Sequence, residues 1–325
     1  MHRNSLRTQA IRSVYPVKIS GRAKLVMNKK RTAMDTYLLA CPGGSRSSEA
    51  RQIVRVIEAE FLKGRRGRLA HFYPEVFASR ETGRLYGLVD AHGEVVAALG
   101  ARLAKIRSGD ARMTAAMIGF VVTAPEHRGR GLGQRLMNGA AEHLRTSGVD
   151  LGVLWTRRND LYLKAGWQIA DPTLVGTWRG DAAARASATW TKAPFAPALR
   201  RRLNRLRPQP ALERPLMLYD KLPYPAERLW AATSPGAHVL VGENGDVAHA
   251  LEWAGDPARV ADLLVDVAHR WPDLTLRGTA ADPVTRHLKR RGLVDFQPEP
   301  AGMWISLGRR FRKRDGIWIP RLDRI

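Results

Sequence analysis

The chain has 325 residues, 44% of them hydrophobic, enough for one large or two ordinary domains with sizeable cores. Its single cysteine, Cys41, excludes an internal disulfide framework and a cysteine-cluster metal site, and no apolar run reaches the roughly 18 residues of a membrane-spanning helix. The formal charge of +24 implies attraction to polyanions without choosing among nucleic acid, an anionic membrane and a phosphorylated ligand.

Residues 1–34 hold nine lysines and arginines and no acid, which leaves +15 for the rest. This leader lacks a core face. It reads as a disordered basic arm, as a mis-assigned start with the true one at Met27 or Met34, or as an arginine-rich, transit-like peptide. It has no charged-then-apolar secretion signal, and with the lone thiol this predicts a cytoplasmic protein.

From Asp35 the pattern becomes regular. Residues 35–44 predict a strand ending in a Pro-Gly turn. Residues 47–64 predict a helix capped by Ser47 or Ser48, with Ile53, Val56, Ile57 and Phe61 at helical spacing and Gly64 as its stop. Residues 65–81 are aromatic and read as irregular. Residues 84–106 predict a hairpin around Asp90–Gly93, and residues 111–125 a further strand, bulged near Gly119. A helix to about Ser147, a strand over 149–158, a short helix from Asn159 and a strand from Trp167 follow. The fold class is α/β (α+β): a mixed central sheet flanked by helices.

Residues 181–214, rich in proline and arginine, read as a linker. Beyond it the order repeats: a hairpin over 238–255, a helix over 256–271 with Asp256 as cap, a strand at 274–278, a helix over 282–292 and a strand at 293–296. The repeat implies two tandem copies, the first over 35–180 and the second over 215–325.

Between the strand and helix of the first copy stands "RGRGLG", residues 128–133. Glycine weakens a helix, so three of them at a helix start call for a reason. A helix N-terminus presents unpaired N–H groups and partial positive charge, and glycines let that backbone approach an anion closely. Arg128 and Arg130 could add charge-assisted contacts. The stretch lacks the Gly-Lys-Ser/Thr of a P-loop and the G-x-G-x-x-G spacing of a dinucleotide fold.

The pattern resembles the acetyl-CoA-binding motif of the GNAT superfamily of N-acyltransferases, matched by Arg128, Gly131 and Gly133. The short aromatic helix "LYLKAGW", residues 161–167, resembles the next signature of that family, with Trp167 in place of Phe. The resemblance implies acetyl-CoA as cosubstrate, an amine as acceptor and no metal. It implies that the backbone of Phe120, Val121 and Val122 pairs with the pantetheine arm. It implies that Gly129, Arg130, Gly131, Leu132 and Gly133 offer N–H groups to the pyrophosphate, and that Asn159 contacts the cosubstrate. Tyr162 matches the usual general acid. The second copy lacks the motif and reads as degenerate.

The strand over 113–123 carries no acid where many family members place a glutamate. Glu126 reads as solvated, and His71, Tyr73 and Glu75 are candidates for the acceptor pocket. "RRRLNRLR" (200–207) and "RRFRKR" (309–314) read as solvated charge runs with possible weak polyanion binding. The expected function is acetyl-CoA-dependent N-acetyl transfer to a primary amine. The alternatives are a non-catalytic acetyl-CoA- or polyanion-binding regulatory module and a tandem-GNAT aminoacyl transferase.

Overall fold

The computed structural model describes residues 17–19, 36–108, 111–169, 172–180, 188–207, 214, 216–222, 226–299, 301–308 and 318–325. Val17–Ile19, inside the leader, forms strand β1, parallel to β2 (Tyr37–Pro42). Helix α1 (Ser48–Phe61) starts where the sequence places it: the Ser47 hydroxyl accepts from the Ala50 N–H at 3.1 Å, and Ile53 and Ile57 are buried. The segment read as irregular contains two single-turn helices, α2 (Leu69–Phe72) and α3 (Pro74–Phe77). An antiparallel meander follows: β3 (Gly83–Val89), β4 (Val95–Ser108) and β5 (Ala111–Thr123). Then come α4 (Leu132–Thr146), β6 (Leu151–Trp155), α5 (Asn159–Leu163) and β7 (Gln168–Ile169).

The second half contains β8 (Thr173–Trp178), β9 (Thr189–Lys192), α6 (Pro197–Leu206), β10 (Arg228–Ser234), β11 (Ala237–Asn244) and β12 (Val247–Gly255). It continues through α7 (Pro257–Arg270), β13 (Thr275–Thr279), α8 (Pro283–Arg290), β14 (Val294–Pro298) and β15 (Gly302–Ser306). The strands form two mixed sheets, in the orders β1-β2-β3-β4-β5-β6-β15-β7 and β14-β8-β13-β12-β11-β10-β9. Helices cover both, and each sheet has its own buried core, one centred on Val239, Val260 and Leu276 and the other on Leu99, Leu136 and Ala140.

The two sheets exchange strands. β8 follows directly on β7 of the first sheet, yet it lies between β13 and β14 of the second. β15 follows β14 of the second sheet, yet it lies between β6 and β7 of the first. The inserted strands fit tightly. A Cβ on Gly176 of β8 would come 2.4 Å from Val294 Cγ1, and one on Gly152 of β6 would come 2.8 Å from Ile305 Cγ2 of β15.

A buried ion network joins the halves. Arg214 pairs with both Glu252 and Asp323, and Arg207 reaches the same two carboxylates at 3.3 and 3.1 Å. Burial alone would raise the Glu252 pKa, but Arg214, His238 and Arg207 hold it far below the ordinary carboxylate range. From the first half, Arg102 donates to the Asp323 carbonyl at 2.7 Å, and Glu75 pairs with Lys221 at 3.4 Å. The arginine run at 200–207 is therefore not a solvated face throughout. It forms α6, Arg200 pairs with Asp220, and Arg207 is buried in this network. The other basic run, 309–314, lies outside the described residues.

Candidate active site

β5 and β6 run parallel and pair only from Ala115–Leu151 to Met117–Val153. Beyond Met117 they diverge: β5 keeps β4 on one edge, while β6 pairs with β15 on its other edge. The inner edge of residues 118–123 thus has no strand partner among the described residues. Across β4, Ala98 faces Val122 but Gly100 faces Gly119, so β5 carries one extra residue, the bulge expected near Gly119. Phe120 sits at the bulge with φ of +56°, a conformation that costs a non-glycine residue about 1–3 kcal/mol. Edge contacts with Phe61, Tyr73 and Phe77, at centroid distances of 5.4, 4.8 and 5.1 Å, hold its ring. Val121 and Val122 continue the strand, Val122 buried and Val121 half-buried.

The chain then turns into α4. Gly129 and Gly131 have φ of +77° and +71°, the left-handed region that side chains disfavour. Space is not the reason for glycine here, because a Cβ at either position would meet no atom within 4 Å. The backbone is bare and open to solvent. Gly131 is the N-cap of α4 and no side chain satisfies the first turn, so the N–H groups following it remain available to an anion. Gly133 adds to the bare surface, and Leu132 packs back onto the core. This cradle fits a pyrophosphate. Arg130 is exposed at its rim. Arg128 is engaged elsewhere: it donates to the Thr123 carbonyl and to Glu60, both at 3.1 Å, tying the turn to the end of β5.

Tyr162 projects from α5 against the core, with Trp167 in edge contact at 6.3 Å. Burial pushes its phenol pKa above the ordinary value, so it keeps its proton. Asn159 opens α5 half-buried, while Arg158 occupies the cap position with no side-chain cap bond.

A cleft of about 310 Å³ opens beside the splay and is walled by both halves. Tyr73, Trp155, Thr156 and Arg157 come from the first half, and Lys221, Arg277, Glu299, Arg321 and Arg324 from the second. Of the three residues expected near an acceptor, only Tyr73 lines it: Glu75 is fully buried against Lys221, and His71 is exposed on the Phe72 ring. Glu126 is exposed, 4.0 Å from His127. A second copy that covers or shapes the acceptor site was expected, but its individual residues were not, since nothing in isolated arginines marks them as cleft-forming.

The equivalent helix start in the second half is closed. Asp256 accepts from the N–H groups of Ala258 and Arg259, both at 3.1 Å, and fills the N-terminus of α7 with its own carboxylate. Among the described residues no three His, Cys, Asp or Glu side chains gather as a metal site, and no helix is long and apolar enough to cross a membrane.

The splayed strands, the bulge and the glycine-lined helix start define an acyl-CoA N-acyltransferase fold. A family model described as an acetyltransferase (GNAT) domain matches residues 45–170. The chain is similar to a GCN5-related N-acetyltransferase from Anabaena variabilis (15% identity, TM-score 0.63, covering 83% of this chain and 73% of that one). It is also similar to one from Kribbella flavida (21% identity, TM-score 0.59, 85% and 72%). A third likeness is to Eis1 from Mycobacterium abscessus (14% identity, TM-score 0.54, 83% and 74%). At such identities these likenesses establish the fold. No curated protein matches the chain by sequence. The family match and the fold together support an acyl-CoA-dependent acyltransferase.

Proposed function

We propose that the chain is an acetyl-CoA-dependent N-acetyltransferase acting on a primary amine, with its site in the first unit (35–180) and its acceptor cleft completed by the second (215–325). The observation that carries this reading is the open, glycine-lined start of α4 beside the unpaired edge of β5. A bound thioester supplies an activated acetyl carbon. The N–H groups at Gly129, Arg130, Gly131, Leu132 and Gly133 hold the pyrophosphate, and the backbone of Phe120, Val121 and Val122 pairs with the pantetheine arm. Arg128 keeps the turn docked on Thr123 and Glu60, and Asn159 lies at the thioester end. Tyr162, kept protonated by burial, donates to the departing sulfur as the amine nitrogen bonds to the acetyl carbon. No carboxylate stands on β5, so the amine proton is assigned to cleft water.

The test is acetyl-CoA binding by calorimetry and thermal shift, with Gly131→Glu as control. The wild type should gain roughly 2.7 kcal/mol at a hundredfold excess over Kd. The variant, which places a carboxylate in the cradle, should gain almost nothing. If wild type and variant behave alike, the cradle is not a CoA site.

A further inference from the structure

The cleft walls have an unbalanced charge. Five cationic side chains line it, Arg157, Lys221, Arg277, Arg321 and Arg324, against the Glu299 side chain and the terminal carboxylate of Ile325. Two of the five are matched. Lys221 pairs with Glu75, and Arg277 grips Glu299 through two bonds of 2.7 and 2.9 Å. Arg157 and Arg321 have no ion-pair or hydrogen-bond partner among the described residues.

Arg321 is the more informative of these. It is half-buried, on the 3-10 turn Arg321–Asp323 that the buried ion network holds in place. Burial, and then the neighbouring Arg277, lower its pKa to about 10 despite the opposing pull of Glu299, so the folded protein holds this cation at a cost. A planar guanidinium held in a cleft with its hydrogen-bond donors unmatched is matched best by an oxyanion. Arg157, just after β6, lines the same cleft from the first half.

Resting on the N-acetyltransferase reading above, we infer that the acceptor is an anionic amine, a small molecule whose carboxylate or phosphate group docks between Arg321 and Arg157. Its amine then points toward the splay, where the Tyr73 ring lies between the cleft and Phe120. Polycationic amines are disfavoured by the same charge.

The test is calorimetry of the full chain at fixed ionic strength with four small amines: O-phosphoethanolamine, β-alanine, ethanolamine and 1,3-diaminopropane. At least one oxyanionic amine should bind about tenfold or more tightly than ethanolamine, as expected for a charge-assisted hydrogen bond. β-Alanine against O-phosphoethanolamine separates carboxylate from phosphate. Arg321→Met and Arg157→Gln should each abolish the preference. Arg157 is exposed, so its replacement keeps the test valid if Arg321→Met fails to fold. Arg201→Gln, on the exposed face of α6, should leave it intact. Binding that ignores the oxyanion, no binding of either oxyanionic amine, or a preference that survives both cleft substitutions overturns the inference. Titration of the same protein with acetyl-CoA separates the two readings. Acetyl-CoA binding with charge-blind amine binding removes this inference alone, whereas oxyanion binding without acetyl-CoA binding removes the acetyltransferase reading alone.

Discussion

The hydroxyl of Tyr162 is the one side-chain group in the first unit assigned a chemical step. Its burial raises the phenol pKa, which suits an acid and would handicap a base. Tyr162→Phe should therefore lower kcat about 10²–10⁴-fold, the usual range for a positioned proton donor, and leave acetyl-CoA affinity unchanged. Calorimetry beside steady-state rates reads both. Arg214 has a structural role of a different size. Fully buried, it serves two carboxylates at once, so Arg214→Met leaves Glu252 and Asp323 with only part of their compensation. A loss of about 3–5 kcal/mol in denaturant unfolding is expected. Tyr162 and the glycines were legible in the sequence because the aromatic helix and the knot are local patterns. Arg214 and Glu252 were not, since the ion pairs of Arg214 with Glu252 and with Asp323 span 38 and 109 residues and no spacing records them.

At the level of elements, α4 and α7 begin alike and end in opposite states. Gly131 leaves the first turn of α4 open, and Asp256 satisfies that of α7 internally. Asp256→Ala should cost about 0.5–2 kcal/mol of stability without altering acetyl-CoA affinity. Thermal melts with and without acetyl-CoA check both parts. On β12, burial first and then Arg321 and Arg277 lower the His249 pKa to about 4, and its Nδ1 has no partner among the described residues. The unfolded chain, with an ordinary histidine pKa near 6.5, takes up this proton first as pH falls. The contribution of His249 is thus complete above pH 6.5 and is lost as the pH falls through about 4. His249→Asn should flatten the acid limb of a melting-temperature profile in that window. Most elements were readable: α1 from its serine cap and apolar stripe, α7 from Asp-Pro, the hairpins from their turns. β1, β8, β10 and β15 were not foreseen, and the stretch read as a linker holds β9, which pairs with β10, and α6. β8 is short and broken by Gly176, which only tertiary packing explains.

For the whole molecule, the repeat of hairpin, helix, strand, helix and strand told of two sheets, but not which strand enters which. Periodicity marks a residue's face and is silent about the neighbour across the edge. The exchange of β8 and β15 makes the halves mutually dependent. A chain cut after Gly180 should leave β6 and β7 without the strand between them and β8 without its sheet, and should be insoluble or bind dye as a partly folded species. Co-expression of the two pieces should restore a cooperative melt if the exchange is as described.

The same exchange imposes a schedule on the ribosome. The first sheet needs β15, which ends at Ser306, 137 residues after β7 ends at Ile169. At about 5–20 residues per second, that interval is on the order of 7–27 s. Throughout it, the edges of β6 and β7 that will hold β15 stand open on the nascent chain, and the bulge and glycine cradle are attached to an unfinished sheet. Nascent chains of this protein should thus depend on holding chaperones until β15 has emerged, and the glycine cradle becomes fully supported only then.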